Sequence, residues 1–130
     1  MPSSDSLSGT DSPAPAPVQV PSEWYDRDYY LSKMEGGDLF VSTAGRKVTP
    51  RHAKLLEIAR VKSGERVLDV GCGRGELVLQ AGLAGATAVG MDYSRDAIAL
   101  ANEALAHHDE ELRSRVSFAV GDAVELALQK

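Results

Sequence analysis

The run Val67-Leu68-Asp69-Val70-Gly71-Cys72-Gly73-Arg74-Gly75 constrains the fold more than any other part of the chain. Residues 66–70 read as a buried strand, and they lead directly into a turn with glycine at every second position. Gly71 permits a sharp bend out of the strand, and the absence of Cβ atoms at Gly73 and Gly75 lets a ligand lie against the backbone. The helix that follows presents unpaired N–H groups, which attract a carboxylate or phosphate with about 0.3–1 kcal/mol from the dipole alone. An acidic residue, Asp92, comes about one β-α-β unit later. Together these features suit an adenosine-containing ligand held by its ribose and by a second charged group.

Alternation governs the rest of the chain. Arg66 to Val70, Ala86 to Met91 and Arg115 to Val120 read as strands. Between them, Gly75 to Leu83 reads as a helix with Leu77, Ala81 and Ala84 on one side, closed by Gly85. Ser94 can cap a second helix with the stripe Ala97, Ile98, Ala101 and Leu105. Gly121-Asp122 then turns the chain into a helix expected from Ala123 to Gln129. Upstream, Thr49-Pro50 looks like an N-cap with proline in the first turn, followed by Leu55, Leu56, Ile58 and Ala59. A short leading helix is expected over Glu23 to Tyr30, and Lys33 to Lys47 reads as a loop.

This order predicts an α/β fold: a Rossmann-like, doubly wound parallel sheet covered on both faces. Right-handed crossovers place the second and third strands to one side of the first. Only three strands of such a sheet are present, so the domain reads as incomplete, with the first strand's apolar edge open to another chain. The expected organisation is a disordered Ser/Pro/Ala-rich tail over 1–21, a helical lead-in over 22–64 and a partial ligand-binding domain over 65–130.

The formal charge of -5 weighs against a broad nucleic-acid footprint. Arg46, Lys47, Arg51, Lys54, Arg60 and Lys62 cluster before the glycine turn and read as a solvated helix face. Cys72 is the lone cysteine, so no internal disulfide forms, which suits a reducing, cytoplasmic compartment. No segment approaches the length of a membrane span, and no metal site is expected at His107-His108.

The glycine spacing narrows the ligand. A dinucleotide fingerprint needs glycine or alanine at position 76, where this chain has Glu76. A carboxylate there, with Asp69 just before the turn, suits a ligand that carries its own positive group. An amino group, a carboxylate and an adenosine satisfy the pattern better than a pyrophosphate, so a nicotinamide-dependent oxidoreductase is the lesser reading.

Val67 to Glu76 resembles the first motif of the class I S-adenosylmethionine-dependent methyltransferases. Gly90-Met91-Asp92-Tyr93-Ser94 is similar to their second cofactor segment, and Phe118 to Ala123 to the segment after their third strand. The resemblance covers about residues 50–130, in the family's order and spacing. It implies S-adenosylmethionine as cofactor, bound by Asp69, Gly71, Cys72, Gly73, Gly75, Asp92, Tyr93, Asp122 and Ala123. Asp69 and the backbone around Gly71 and Gly73 would hold the methionine end. Asp92 would take both ribose hydroxyls, Tyr93 would pack on the adenine, and Asp122 and the Ala123 amide would meet its edge. Tyr25, Tyr29 or Tyr30 would close over the methionine end. The implied activity is methyl transfer to a small-molecule acceptor, with nucleic acid disfavoured and no membrane partner. The alternative is a catalytically silent module that binds the cofactor, or pairs with another chain, and lacks the substrate half. The residues that would perform catalysis are not identified by the resemblance.

Overall fold

The structure, a computed structural model, describes residues 20–123. Residues 1–19 of the tail expected over 1–21, and all but the first residue of the helix expected from Ala123 to Gln129, lie outside them. The element order is a 3-10 turn Ser22–Trp24, a π-helical turn Tyr29–Lys33, α1 (Gly37–Thr43), α2 (Pro50–Ala59), β1 (Arg66–Val70), α3 (Glu76–Leu83), β2 (Thr87–Asp92), α4 (Arg95–Ala106), α5 (Glu110–Arg115) and β3 (Val116–Val120).

The three strands form one parallel sheet in the order β1-β2-β3. Leu68 stands opposite Val89, and Val89 opposite Ser117. Both crossover helices lie on the same face: α3 packs on β1 and β2, and α4 on β2 and β3. Two right-handed crossovers in the same direction must put their helices on one side. The core is therefore Val78, Leu79 and Ala81 of α3 with Ala88, Val116, Ala97, Leu100 and Ala104. Burying a side chain such as Leu79 contributes about 1.5–3 kcal/mol. The expected coverage on both faces is not seen. Among the described residues no helix covers the second face, where Leu68 is 59% exposed and Val70 is exposed too.

Caps set the helix starts as the sequence suggests. Thr49 accepts from the His52 amide, and Ser94 from that of Ala97. Two helices were not foreseen. α1 lies inside the expected loop, bounded by left-handed Gly36 and Ala44 and held by burial of Phe40. α5 starts at Asp109, whose side chain accepts from the Leu112 amide, and Leu112 enters the core. The leading helix is replaced by the two short turns before α1.

Two apolar stripes also differ. On α3 the buried residues are Val78, Leu79, Ala81 and Gly82, with Glu76 at its start, while Ala84 is exposed. On α2 nothing is fully buried, and Ile58 is 67% exposed.

Candidate functional site

The strands of a parallel sheet all end on the same edge, and the three turns leaving it meet there. Their residues line one cavity of about 350 Å³: Val70 and Gly71 after β1, Asp92 and Tyr93 after β2, and Gly121, Asp122 and Ala123 after β3. Val20, from the segment expected as tail, lines it too. Five of the expected site residues, Gly71, Asp92, Tyr93, Asp122 and Ala123, are thus brought together. Asp69, Cys72, Gly73 and Gly75 do not line it. Val20, Val70 and Gly121 were not expected. Val70 and Gly121 could have been found as neighbours of the turn residues, whereas nothing in the sequence marks Val20.

Asp92 organises the wall. Its Oδ2 accepts from the Gly73 amide at 2.9 Å and its Oδ1 from the Ser94 amide at 2.9 Å. A carboxylate offers about four lone-pair positions. Each oxygen of Asp92 therefore keeps capacity for one more donor, the arrangement a vicinal diol needs.

The glycines of the loop do different work. Gly71 has φ +79° and open space where a Cβ would stand, so the backbone is approachable there. Gly73 has φ +56° and faces Tyr30. Gly75 is glycine for packing: a Cβ there would lie 2.5 Å from Phe118, so its missing side chain makes room for the core. The loop's amides are also engaged. Gly71 and Cys72 donate to the Met91 carbonyl, and Gly75 to that of Cys72. The loop is therefore pinned to β2.

Behind the loop sits Arg74, 1% exposed. Its guanidinium donates to Glu76 and to the carbonyls of Tyr30 and Glu35, and it lies over the Phe40 ring at 5.5 Å. A long cation in the middle of a glycine turn was the available signal for this anchor. It ties the loop to the lead-in, which makes further contacts of its own. Ser94 Oγ donates to the Tyr25 carbonyl, Tyr93 OH to that of Val20, and Arg27 forms a two-pronged pair with Glu103. Tyr25, Tyr29 and Tyr30 follow one another edge-on, with centroids 4.9 and 5.1 Å apart, and Tyr25 reaches Tyr93 at 5.8 Å.

The local charges are mostly negative. Burial, then Asp92, pushes the Asp69 carboxyl up, while His52 pulls it down. Burial and the carboxylates of Asp92, Asp69 and Glu76 push the Cys72 thiol up to about 12, which leaves it an inert packing group at neutral pH. Burial and Asp92 hold the Tyr30 hydroxyl well above the ordinary phenol range, so it stays neutral. A ligand bearing a positive group fits such surroundings.

Comparison with known proteins points the same way. A family model described as methyltransferase domain matches residues 61–130. Magnesium-protoporphyrin O-methyltransferase of Rhodobacter capsulatus is 38% identical over 80 residues, covering 62% of this chain and 34% of that protein. The C-terminal domain of a precorrin-6Y methyltransferase from the same organism shares the fold, with a TM-score of 0.55 at 23% identity, over 65% of this chain and 46% of that one. A methyltransferase from Thiobacillus denitrificans, solved with S-adenosyl-L-homocysteine, matches with a TM-score of 0.50 at 25% identity, over 82% of this chain and 38% of that one. The chain spans about a third of the length of the curated relatives it matches.

Proposed function

Since the chain belongs to the methyltransferase domain family and has the class I fold, we propose that it binds S-adenosylmethionine at the ends of its three strands and presents the methyl group to a small-molecule acceptor. The observation that carries this reading is the single cavity shared by the three turns. Three segments far apart in sequence converge on a space for one nucleoside.

In this reading Asp92 takes the ribose diol with the lone pairs that Gly73 and Ser94 leave over. Tyr93 lies along the adenine, and Asp122 and the Ala123 amide meet its polar edge. Asp69 and the loop carbonyls receive the ammonium of the amino-acid end. When bound, the cofactor supplies an electrophilic methyl on a sulfonium, and the reaction is in-line displacement by a nucleophile on the acceptor. The protein's share is orientation and exclusion of water. Gly71 lets the ligand sit close, Arg74 and Asp92 keep the loop from shifting, and the tyrosines of the lead-in form an apolar screen at its side.

A small molecule is favoured as acceptor because the chain is acidic and its similar protein from Rhodobacter capsulatus is named for a porphyrin. Calorimetric titration of the full chain with S-adenosylhomocysteine tests the reading. Saturable binding at micromolar to low millimolar ligand is expected. Absence of heat at millimolar ligand, with the protein shown to be folded by circular dichroism, would overturn it.

A further inference from the structure

The turn Asp92-Tyr93-Ser94 serves two structures at once. Asp92 and Tyr93 line the cavity. The hydroxyls of Tyr93 and Ser94 hold the segment 20–27: Tyr93 OH donates to the Val20 carbonyl at 3.3 Å, and Ser94 Oγ to that of Tyr25. The Tyr25 and Tyr93 rings meet with centroids 5.8 Å apart. Further along, the Arg27 amide donates to Asp96 Oδ2 at 2.9 Å, and the Arg27 guanidinium forks onto Glu103 at 2.7 and 3.0 Å. Asp96 and Glu103 are two turns apart on one face of α4. The segment therefore leads from Val20 at the cavity to Arg27 on α4.

What fastens this segment is polar. From Val20 to Asp28 no side chain is fully buried. It holds on by hydrogen bonds, one exposed ion pair and ring contacts, and it opens at far lower cost than the sheet beneath. Yet it supplies part of the cavity lining through Val20.

Resting on the cofactor reading above, we propose that residues 20–27 form a detachable strap over the adenosine part of the cavity, with Tyr93 and the Arg27–Glu103 pair as its positioning residues. Tyr93 has two tasks: its ring lies along the adenine, and its hydroxyl holds the strap. Arg27 is not among the residues lining this cavity, so it acts on the ligand through the strap alone. An adenosine-containing ligand then binds the attached form better, and it strengthens attachment by the same factor.

The test uses the full chain with S-adenosylhomocysteine and adenosine as probes in calorimetry. Arg27→Glu sets a carboxylate against Asp96 and Glu103, and it is expected to weaken both ligands equally, by about threefold or more. Adding Glu103→Arg to it rebuilds the pair and is expected to restore both affinities. Lys54→Glu makes the same change of charge at another exposed pair, Lys54 with Glu57, and is expected to change neither. Tyr93→Phe keeps the ring, and it is expected to weaken both ligands and to speed tryptic cleavage after Arg27, the first Lys or Arg of the chain. In wild-type protein, ligand is expected to slow that cut more than the cut after Lys62. Unchanged affinity in Arg27→Glu and Tyr93→Phe, a loss shared by Lys54→Glu, a loss that Glu103→Arg does not reverse, or a loss for S-adenosylhomocysteine alone would overturn the proposal. So would a cut after Arg27 that ligand leaves untouched. Should Arg27→Glu fail to fold, as judged by its thermal melt, Tyr93→Phe and the wild-type cleavage decide. Wild-type protein that binds neither probe would remove the cofactor reading, and the strap with it. Binding of both with no effect of the strap variants would remove the strap alone.

Discussion

Asp92 at the end of β2 and Gly73 in the loop after β1 are joined by a hydrogen bond of 2.9 Å from the glycine amide to Oδ2. The bond spans nineteen positions of sequence and fastens the glycine loop to the neighbouring strand. In the proposed reading, ligand binding and loop architecture depend on the same carboxylate.

Asp92→Ala is expected to lower affinity for S-adenosylhomocysteine by about 1.5–3 kcal/mol, the scale of hydrogen bonds to a charged group. It also strips two amides, Gly73 and Ser94, of their acceptor, so stability falls by about 1–3 kcal/mol. Titration calorimetry and urea denaturation on the same variant measure both. Unchanged affinity would remove Asp92 from the binding role.

Gly71→Ala and Gly75→Ala separate binding from packing. Both impose a left-handed backbone on alanine, at about 1–2 kcal/mol each. Only at Gly75 does the new methyl strike a side chain, Phe118, and overpacking adds about 1–3 kcal/mol. Gly75→Ala should therefore melt well below Gly71→Ala, while Gly71→Ala should keep its fold and lose affinity. Equal melting temperatures would contradict the contact with Phe118.

Arg74→Met leaves Glu76 buried without its cation. Breaking a buried pair in this way costs about 3–5 kcal/mol. Arg74→Lys should recover little, because one ammonium cannot reproduce a planar fork shared among Glu76, Tyr30 and Glu35. The midpoint of urea unfolding reports the outcome, and near-wild-type stability in Arg74→Met would deny the anchor its role.

Cys72 should resist alkylation. Its thiol is raised from the ordinary 9.0 to about 12, chiefly by burial, so the reactive thiolate is scarce below that pH. The sign for stability follows. An unfolded thiol ionises first as pH climbs from 9.0 towards about 12, so that window favours the unfolded state. Iodoacetamide labelling followed by mass spectrometry should be slow in buffer at pH 8 and fast in urea. Rapid labelling of folded protein would show the thiol to be accessible and charged.

Strand positions and helix caps were readable because they rest on local chemistry. β1 matches its expected span, β2 lies one residue later at both ends, β3 starts one residue later, and Thr49 and Ser94 cap as foreseen. The convergence of Gly71, Asp92, Tyr93, Asp122 and Ala123 was also readable, because a parallel sheet collects the ends of its strands. α1 was not, since Gly36 and Gly45 read as loop residues and only the burial of Phe40 favours a helix between them. The separate duties of Gly71 and Gly75 were hidden for the same reason: glycine records that space is needed, and only the neighbours show who takes it. Arg74 depends on partners dozens of residues away, which no periodicity encodes.

Because Arg74 clasps the Tyr30 and Glu35 carbonyls, a nucleoside that nudges the glycine turn must tug the lead-in as well. Trp24, the sole tryptophan and 68% exposed, sits a few residues before that clasp. If that pull reaches so far, its emission is expected to shift as S-adenosylhomocysteine is added, and an unchanged spectrum at saturation would show that it stops short.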